Sequence, residues 1–176
     1  MLQELEVRRS IFSLIAKIPG IHFRELQRKL GLEVGTLDYH LNRMEKEGLI
    51  YGVKERYYKR YYTKEVDARD FELMAVLRQE KPRRIVLHLL LKPGSTHAEI
   101  GRELNLPLST TTFYLDLLRK KGVVNAVEGE RTRYFVSEKE RTVNAIIRYR
   151  HSFLDKLVDR FLEVWLETST TSDENI

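Results

Sequence analysis

Thr36, Asp38, Tyr39, Asn42 and Arg43 are left, with Gly35, on or near the outward face of a helix whose Val34, Leu37, Leu41 and Met44 turn to a core. Their chemistry is recognition rather than reaction. Asn42 and Arg43 have the donor and acceptor geometry for the edges of adenine and guanine, Thr36 suits a phosphate, and Tyr39 suits a phosphate or a thymine methyl. Asp38 is the awkward member, because a carboxylate near phosphate repels unless it accepts from cytosine or pairs with a basic neighbour. A merely solvated polar face is the competing reading of this row. Further on, the stretch RYYKRYY from Arg56 to Tyr62 interleaves positive charge with tyrosine. From Tyr51 to Lys64 the basic residues Lys54, Arg56, Lys59, Arg60 and Lys64 stand against Glu55 alone, a local excess of four. Such a run can hold the backbone of a polyanion.

Catalysis has no foothold in the sequence. It lacks a glycine-rich phosphate loop, a nucleophile motif and any carboxylate cluster beyond ordinary helix surfaces. Cysteine is absent, and His22, His40, His88, His97 and His151 form no ligand pair, so no metal and no cofactor are expected. The 176 residues suffice for two small domains, and the formal net charge of +5 leans mildly towards an anionic partner. With no apolar run long enough for a bilayer and no signal-like amino terminus, a cytoplasmic protein without membrane contact is expected.

Positioning such side chains requires a scaffold, and an internal repeat supplies it. Shifting the chain by 74 positions, from Pro19 to Pro93, aligns the segment beginning PGIHFRELQRKL with the segment beginning PGSTHAEIGREL without a gap. Pro19, Gly20, Glu25, Arg28, Leu30, Leu32, Thr36, Leu41, Lys46 and Gly48 recur identically. The register then slips by one residue, so that RYYTKE from Arg60 meets RYFVSE from Arg133, a length change suited to a hairpin tip.

Each copy reads as three helices and a hairpin. Val7, Ile11, Leu14, Ile15 and Ile18 mark a first helix, and Ile85, Leu89 and Leu90 mark its counterpart. A second helix and a turn follow, at Gly31-Leu32 or Asn105-Leu106. The third helix should bury Val34, Leu37, Leu41 and Met44, or Leu108, Thr111, Leu115 and Leu118, and should end at Gly48 or Gly122. Two β-prone runs, Leu49 to Val53 and Arg60 to Thr63, close the first copy. In that hairpin, alternation assigns Tyr58, Arg60 and Tyr62 to one face and Tyr57, Lys59 and Tyr61 to the other. One ring of each Tyr61-Tyr62 and Tyr134-Phe135 pair should pack on its own helices.

This order of elements resembles the winged helix-turn-helix domain, and TLDYHLNRMEKEGLI is similar to the recognition helix and first wing strand of ArsR- and MarR-type regulators. The tandem arrangement resembles that of archaeal two-winged-helix transcription regulators. The resemblance covers about residues 5–64 and 81–137. It implies a mainly α fold with small β-hairpin wings, two tandem domains and a long C-terminal helix. The corresponding partition is a first winged helix at 1–64, a helical connector at 65–80, a second winged helix at 81–137, a C-terminal helix at 138–167 and a disordered tail at 168–176. His40 falls on a histidine frequent in the ArsR-like pattern, where it packs; metal sensing is not carried over.

The function implied is sequence-specific binding of double-stranded DNA by a transcription regulator. Thr36, Asp38, Tyr39, Asn42 and Arg43 would enter a major groove roughly 12 Å wide. Lys54, Arg56, Lys59 and Arg60 of the wing would hold phosphates. The second copy is poorer: Asp116 and Leu117 replace Asn42 and Arg43, and Arg131 and Arg133 are balanced by Glu128 and Glu130. Thr110, Thr112, Arg131 and Arg133 are its candidates for phosphate contact, whereas Phe113 and Leu117 ask for an apolar partner. Two apolar rows near the carboxyl end, Val143, Ile147, Leu154, Leu157, Phe161 and Val164 beside Ile146, Phe153, Val158, Leu162 and Trp165, must also be covered. Packing within the chain and homodimerisation through the last helix or the second domain are both open. Alternative functions are a protein-contact module of the chromosome-segregation type and RNA binding through stacked wing tyrosines.

Overall fold

The computed structural model describes residues 2–55, 57–153 and 156–172, and the side chains of residues 2, 3 and 168–172 lie outside the description. The chain divides into two compact units, 1–75 and 76–176.

In the first unit, α1 (Leu2–Lys17), α2 (Phe23–Leu30) and α3 (Val34–Lys46) surround an apolar core. Strands β1 (Ile21–His22), β2 (Ile50–Glu55) and β3 (Tyr58–Thr63) form an antiparallel sheet in the order β1-β3-β2. Ile11, Ile15, Ile21, Leu26, Leu37, Leu41, Met44, Ile50 and Tyr61 make up the core, drawn from the helical and strand periodicities. The strands run longer than expected, because the ladder continues to Glu55 opposite Tyr58. Lys54 therefore lies in the ladder, opposite Lys59, rather than in a long tip.

Both rings that follow Arg60 are buried, on opposite faces of β3. Tyr61 joins the helical core. Tyr62 stacks on Phe71 with ring centroids 4.2 Å apart, and its hydroxyl donates to the Phe71 carbonyl at 3.1 Å. Phe71 opens α4 (Phe71–Leu77), which follows a 3-10 turn at Ala68–Asp70. The stretch 65–75 thus belongs to the first unit rather than to a separate connector beginning at 65.

The second unit repeats the plan with α5 (Glu80–Leu91), β4 (Ser95–Thr96), α6 (His97–Leu104), α7 (Leu108–Lys120), β5 (Val124–Val127) and β6 (Arg133–Val136), its sheet ordered β4-β6-β5. Its turn between helices places Asn105 at φ 51°, where the first copy has Gly31 at φ 64°; asparagine is the side chain that best tolerates this left-handed conformation.

Two helix assignments differ from the sequence reading. Val34 and Leu108, assigned to the core, are 55% and 69% exposed. As first residues of α3 and α7, their side chains lean back off the helix end and miss the core that Leu37 and Thr111 reach one turn later. The single long C-terminal helix is instead α8 (Lys139–Tyr149), a 3-10 turn (Arg150–Ser152) and α9 (Lys156–Ser172). The break is built in: Ser152 donates to the Tyr149 carbonyl at 2.7 Å, Arg78 donates to the Ser152 carbonyl at 2.9 Å, and Phe153 is extended with its ring under Arg83. Ile146, Phe153, Val158, Phe161 and Leu162 are buried, and α9 packs on α5. Helix continues through Ser172 where a disordered tail was expected from 168; residues 173–176 and Leu154 lie outside the described set.

Candidate nucleic-acid interface

Helix α3 buries Leu37, His40, Leu41 and Met44, and this leaves Gly35, Thr36, Asp38, Tyr39, Asn42, Arg43 and Lys46 exposed. Gly35, Asp38, Tyr39, Asn42, Arg43 and Lys46 line one shallow depression. Four of the five expected recognition residues, Asp38, Tyr39, Asn42 and Arg43, therefore share one accessible face, and Thr36 is exposed beside the start of the helix without lining the depression. Lys46, four residues beyond Asn42, belongs with them and was missed; the same helical spacing would have found it. His40 is buried and its ring meets Tyr39 edge-on at 5.2 Å, which gives it the packing place expected.

The exposed side chains are bonded to one another. Asn42 donates to Asp38 at 2.9 Å, which gives the awkward carboxylate a partner. Arg43 donates through Nε to Glu47 at 2.9 Å and through Nη1 to the Tyr39 hydroxyl at 3.2 Å. Glu47 also receives Arg8 of α1. The hydrogen bond from Arg43, followed by that from Arg8, lowers the Glu47 pKa, and Glu47 in turn raises that of Arg43.

The wing is less uniformly available than its composition implies. Lys54 is exposed, and Arg56 lies outside the described residues. Lys59 is half-exposed and paired with Glu45 of α3 at 2.6 Å. That pair crosses the bare backbone of Gly52, where an added Cβ would lie 2.0 Å from Glu45 Oε1 and 2.2 Å from Lys59 Cε. The ion pair ties the wing to the recognition helix. Arg60 corrects the sequence reading: it is only 7% exposed, donating to the Gly20 carbonyl at 2.8 Å and to Glu55 at 2.5 Å. A buried arginine so engaged closes the β1 turn and is not presented to phosphate. Tyr57, 87% exposed, and Tyr58 supply the outward rings.

In the second copy Arg133 makes the matching bond, donating to the Gly94 carbonyl at 3.1 Å, but unlike Arg60 it remains exposed. The Thr112 hydroxyl is occupied, donating to the Leu108 carbonyl at 3.0 Å and lying 2.9 Å from His97 Nε2. Thr110 is half-buried, and Arg131 is exposed. Phe113 is 62% exposed, so the apolar partner expected for it is not supplied by its own unit. No group of three or more metal-ligating side chains occurs among the described residues, nor is any described helix long and apolar enough to cross a membrane.

A three-helix unit closed by a hairpin wing, present twice, defines the class of fold: two winged helix-turn-helix domains. A family model described as an N-terminal HTH domain matches residues 5–74, and one described as winged helix-turn-helix DNA-binding matches residues 67–125. Neither is an enzyme domain. An uncharacterized HTH-type transcriptional regulator of Methanocaldococcus jannaschii is 35% identical over 134 residues, which cover 76% of this chain and 34% of that protein. The chain thus spans about a third of its curated relative. Among solved structures, reduced HlyU from Vibrio cholerae is 25% identical with a TM-score of 0.41, covering 47% of this chain and 87% of HlyU. ZitR of Lactococcus lactis, in complex with DNA, is 14% identical with a TM-score of 0.32, covering 80% and 97%. Likenesses at these scores carry no assignment.

Proposed function

We propose that the chain is a sequence-specific, double-stranded DNA-binding transcription regulator acting in the cytoplasm. The observation that carries this reading is the exposed face of α3, where Gly35, Asp38, Tyr39, Asn42, Arg43 and Lys46 surround one depression, with Thr36 exposed on the same helix, beside a cationic wing. Asn42 and Arg43 read bases, Lys54, Arg56 and Lys59 hold backbone, and Arg60 supports the wing from within. The DNA-binding description of the matched domain and the name of the archaeal relative agree with it. The second winged helix, with Asp116, Leu117 and exposed Phe113 on the corresponding helix, serves geometry or partner contact. Homodimerisation uses the apolar residues that α8 and α9 leave exposed, Ile147, Leu157, Val164 and Leu166.

Selection from random duplexes, followed by titration at several salt concentrations, tests the proposal. A selected duplex should bind with a steep negative salt slope. Arg43→Gln should cost about 1–3 kcal/mol of discrimination at one base pair, whereas Lys54→Gln should weaken all duplexes alike and reduce the slope by about one. Preference for single strands would favour RNA binding, and no binding at low salt would leave a protein-contact module.

A further inference from the structure

Base reading by Arg43 does not in itself call for an acid at its side, yet Glu47 takes Arg43 on one carboxylate oxygen and Arg8 on the other. Exposed ion pairs add little stability, and a carboxylate close to DNA repels phosphate. The cost has to be offset elsewhere. Glu47 and Tyr39 occupy two N–H groups of Arg43. An arginine has five, and a bidentate contact to guanine needs only two. A guanidinium held in this way keeps donors to spare and has already given up its freedom to turn, so less is lost on contact.

The second copy provides an internal comparison. At the positions of Arg8, Tyr39, Arg43 and Glu47 it carries Pro82, Phe113, Leu117 and Lys121. All four members change together while the helices and wing remain. The cluster is therefore not needed for the fold and accompanies only the helix with a base-reading surface.

We propose that Glu47, buttressed by Arg8, is a positioning residue that sets base specificity by fixing Arg43 in its reading orientation. The inference rests on the DNA-reading role given to α3 above. The test compares full-length wild type, Glu47→Gln, Arg8→Gln, Arg43→Gln and Glu47→Gln/Arg43→Gln on a selected duplex and on the same duplex changed at the base pair that Arg43 reads. Glu47→Gln should reduce the affinity ratio about tenfold, within the range of one bidentate contact, while binding to the altered duplex holds or tightens because a negative charge is gone. In the Arg43→Gln background the Glu47 change should reduce the ratio no further. Arg8→Gln, which alters neither recognition helix nor wing, should reduce the ratio by a smaller factor, and it keeps the test valid if Glu47→Gln folds poorly. An unchanged ratio in both single variants, or a shift of both duplexes by the same factor, overturns the inference while the DNA-binding reading survives. A wild type that prefers no duplex overturns both.

Discussion

The two winged helices share their frame down to individual hydrogen bonds and differ in what they show to solvent. Arg60 and Arg133 each donate to the glycine carbonyl of a Pro-Gly turn, at 2.8 and 3.1 Å. Gly20 lies under Tyr62 as Gly94 lies under Phe135, both glycines at φ near 80°. On the surface, by contrast, substitutions occur in sets. Glu45, Gly52 and Lys59, which tie the first wing to its helix, become Arg119, Ala126 and Thr132. The alanine fills the slot that the ion pair would need. Side chains that act jointly are thus recognisable by their joint replacement, and the frame by its repetition.

This comparison can be broken most forcefully in the cores. Leu41 and Leu115 occupy equivalent, fully buried sites on α3 and α7, so Leu41→Ala and Leu115→Ala should each cost about 2–5 kcal/mol. Chemical denaturation should show similar losses for the two; a large inequality would mean that the repeated frames are not energetically equivalent.

Alkali gives the next largest effect. Burial, with Glu45 and Asp38 nearby, pushes the Tyr61 hydroxyl up to about 12, whereas Tyr134 is raised mainly by weaker burial and opposed by Arg119. A phenol raised above its unfolded value contributes stability that is complete below about pH 10 and is lost as pH climbs towards 12. The loss should reach on the order of 2–3 kcal/mol in the first unit and less in the second. Stability measured against pH, with Tyr61→Phe as control, checks the sign: the variant should show the shallower decline.

The smallest effect concerns the wing tie. Gly52→Ala should displace the Glu45–Lys59 pair and cost at most about 1 kcal/mol, yet it should leave Lys59 more mobile, visible as loss of the ordered Lys59 ammonium signal in NMR. Ala126→Gly should cost a similar or smaller amount through backbone entropy alone and alter no ion pair.

Much of the frame was legible because periodicity and repetition reinforce each other. Leu37, Leu41 and Met44 are buried where helical spacing puts them, and the one-residue slip at the hairpin tip reappears in the two arginine–glycine bonds. The exposed face of α3 was legible for the same reason. Arg60 was misread because composition cannot distinguish a wing arginine facing solvent from one reaching a carbonyl forty positions earlier in the chain. Its recurrence as Arg133, in a wing otherwise balanced by acids, was the available clue. Lys59 looked free because its partner Glu45 lies on another element. The apolar row is broken at Arg150, where the interruption falls, but the carbonyl contact from Arg78 that accompanies it joins residues far apart in sequence.

The stack of Phe71 on Tyr62 determines where the amino-terminal half can be excised. A fragment ending at Lys64 would leave the Tyr62 ring bare on one side and its hydroxyl without the carbonyl it now meets. Tyr51, whose ring lies 5.8 Å from Phe71, would lose the same cover. A cut after Ala75 keeps both rings capped, so the shortest self-sufficient piece is longer than the hairpin would suggest.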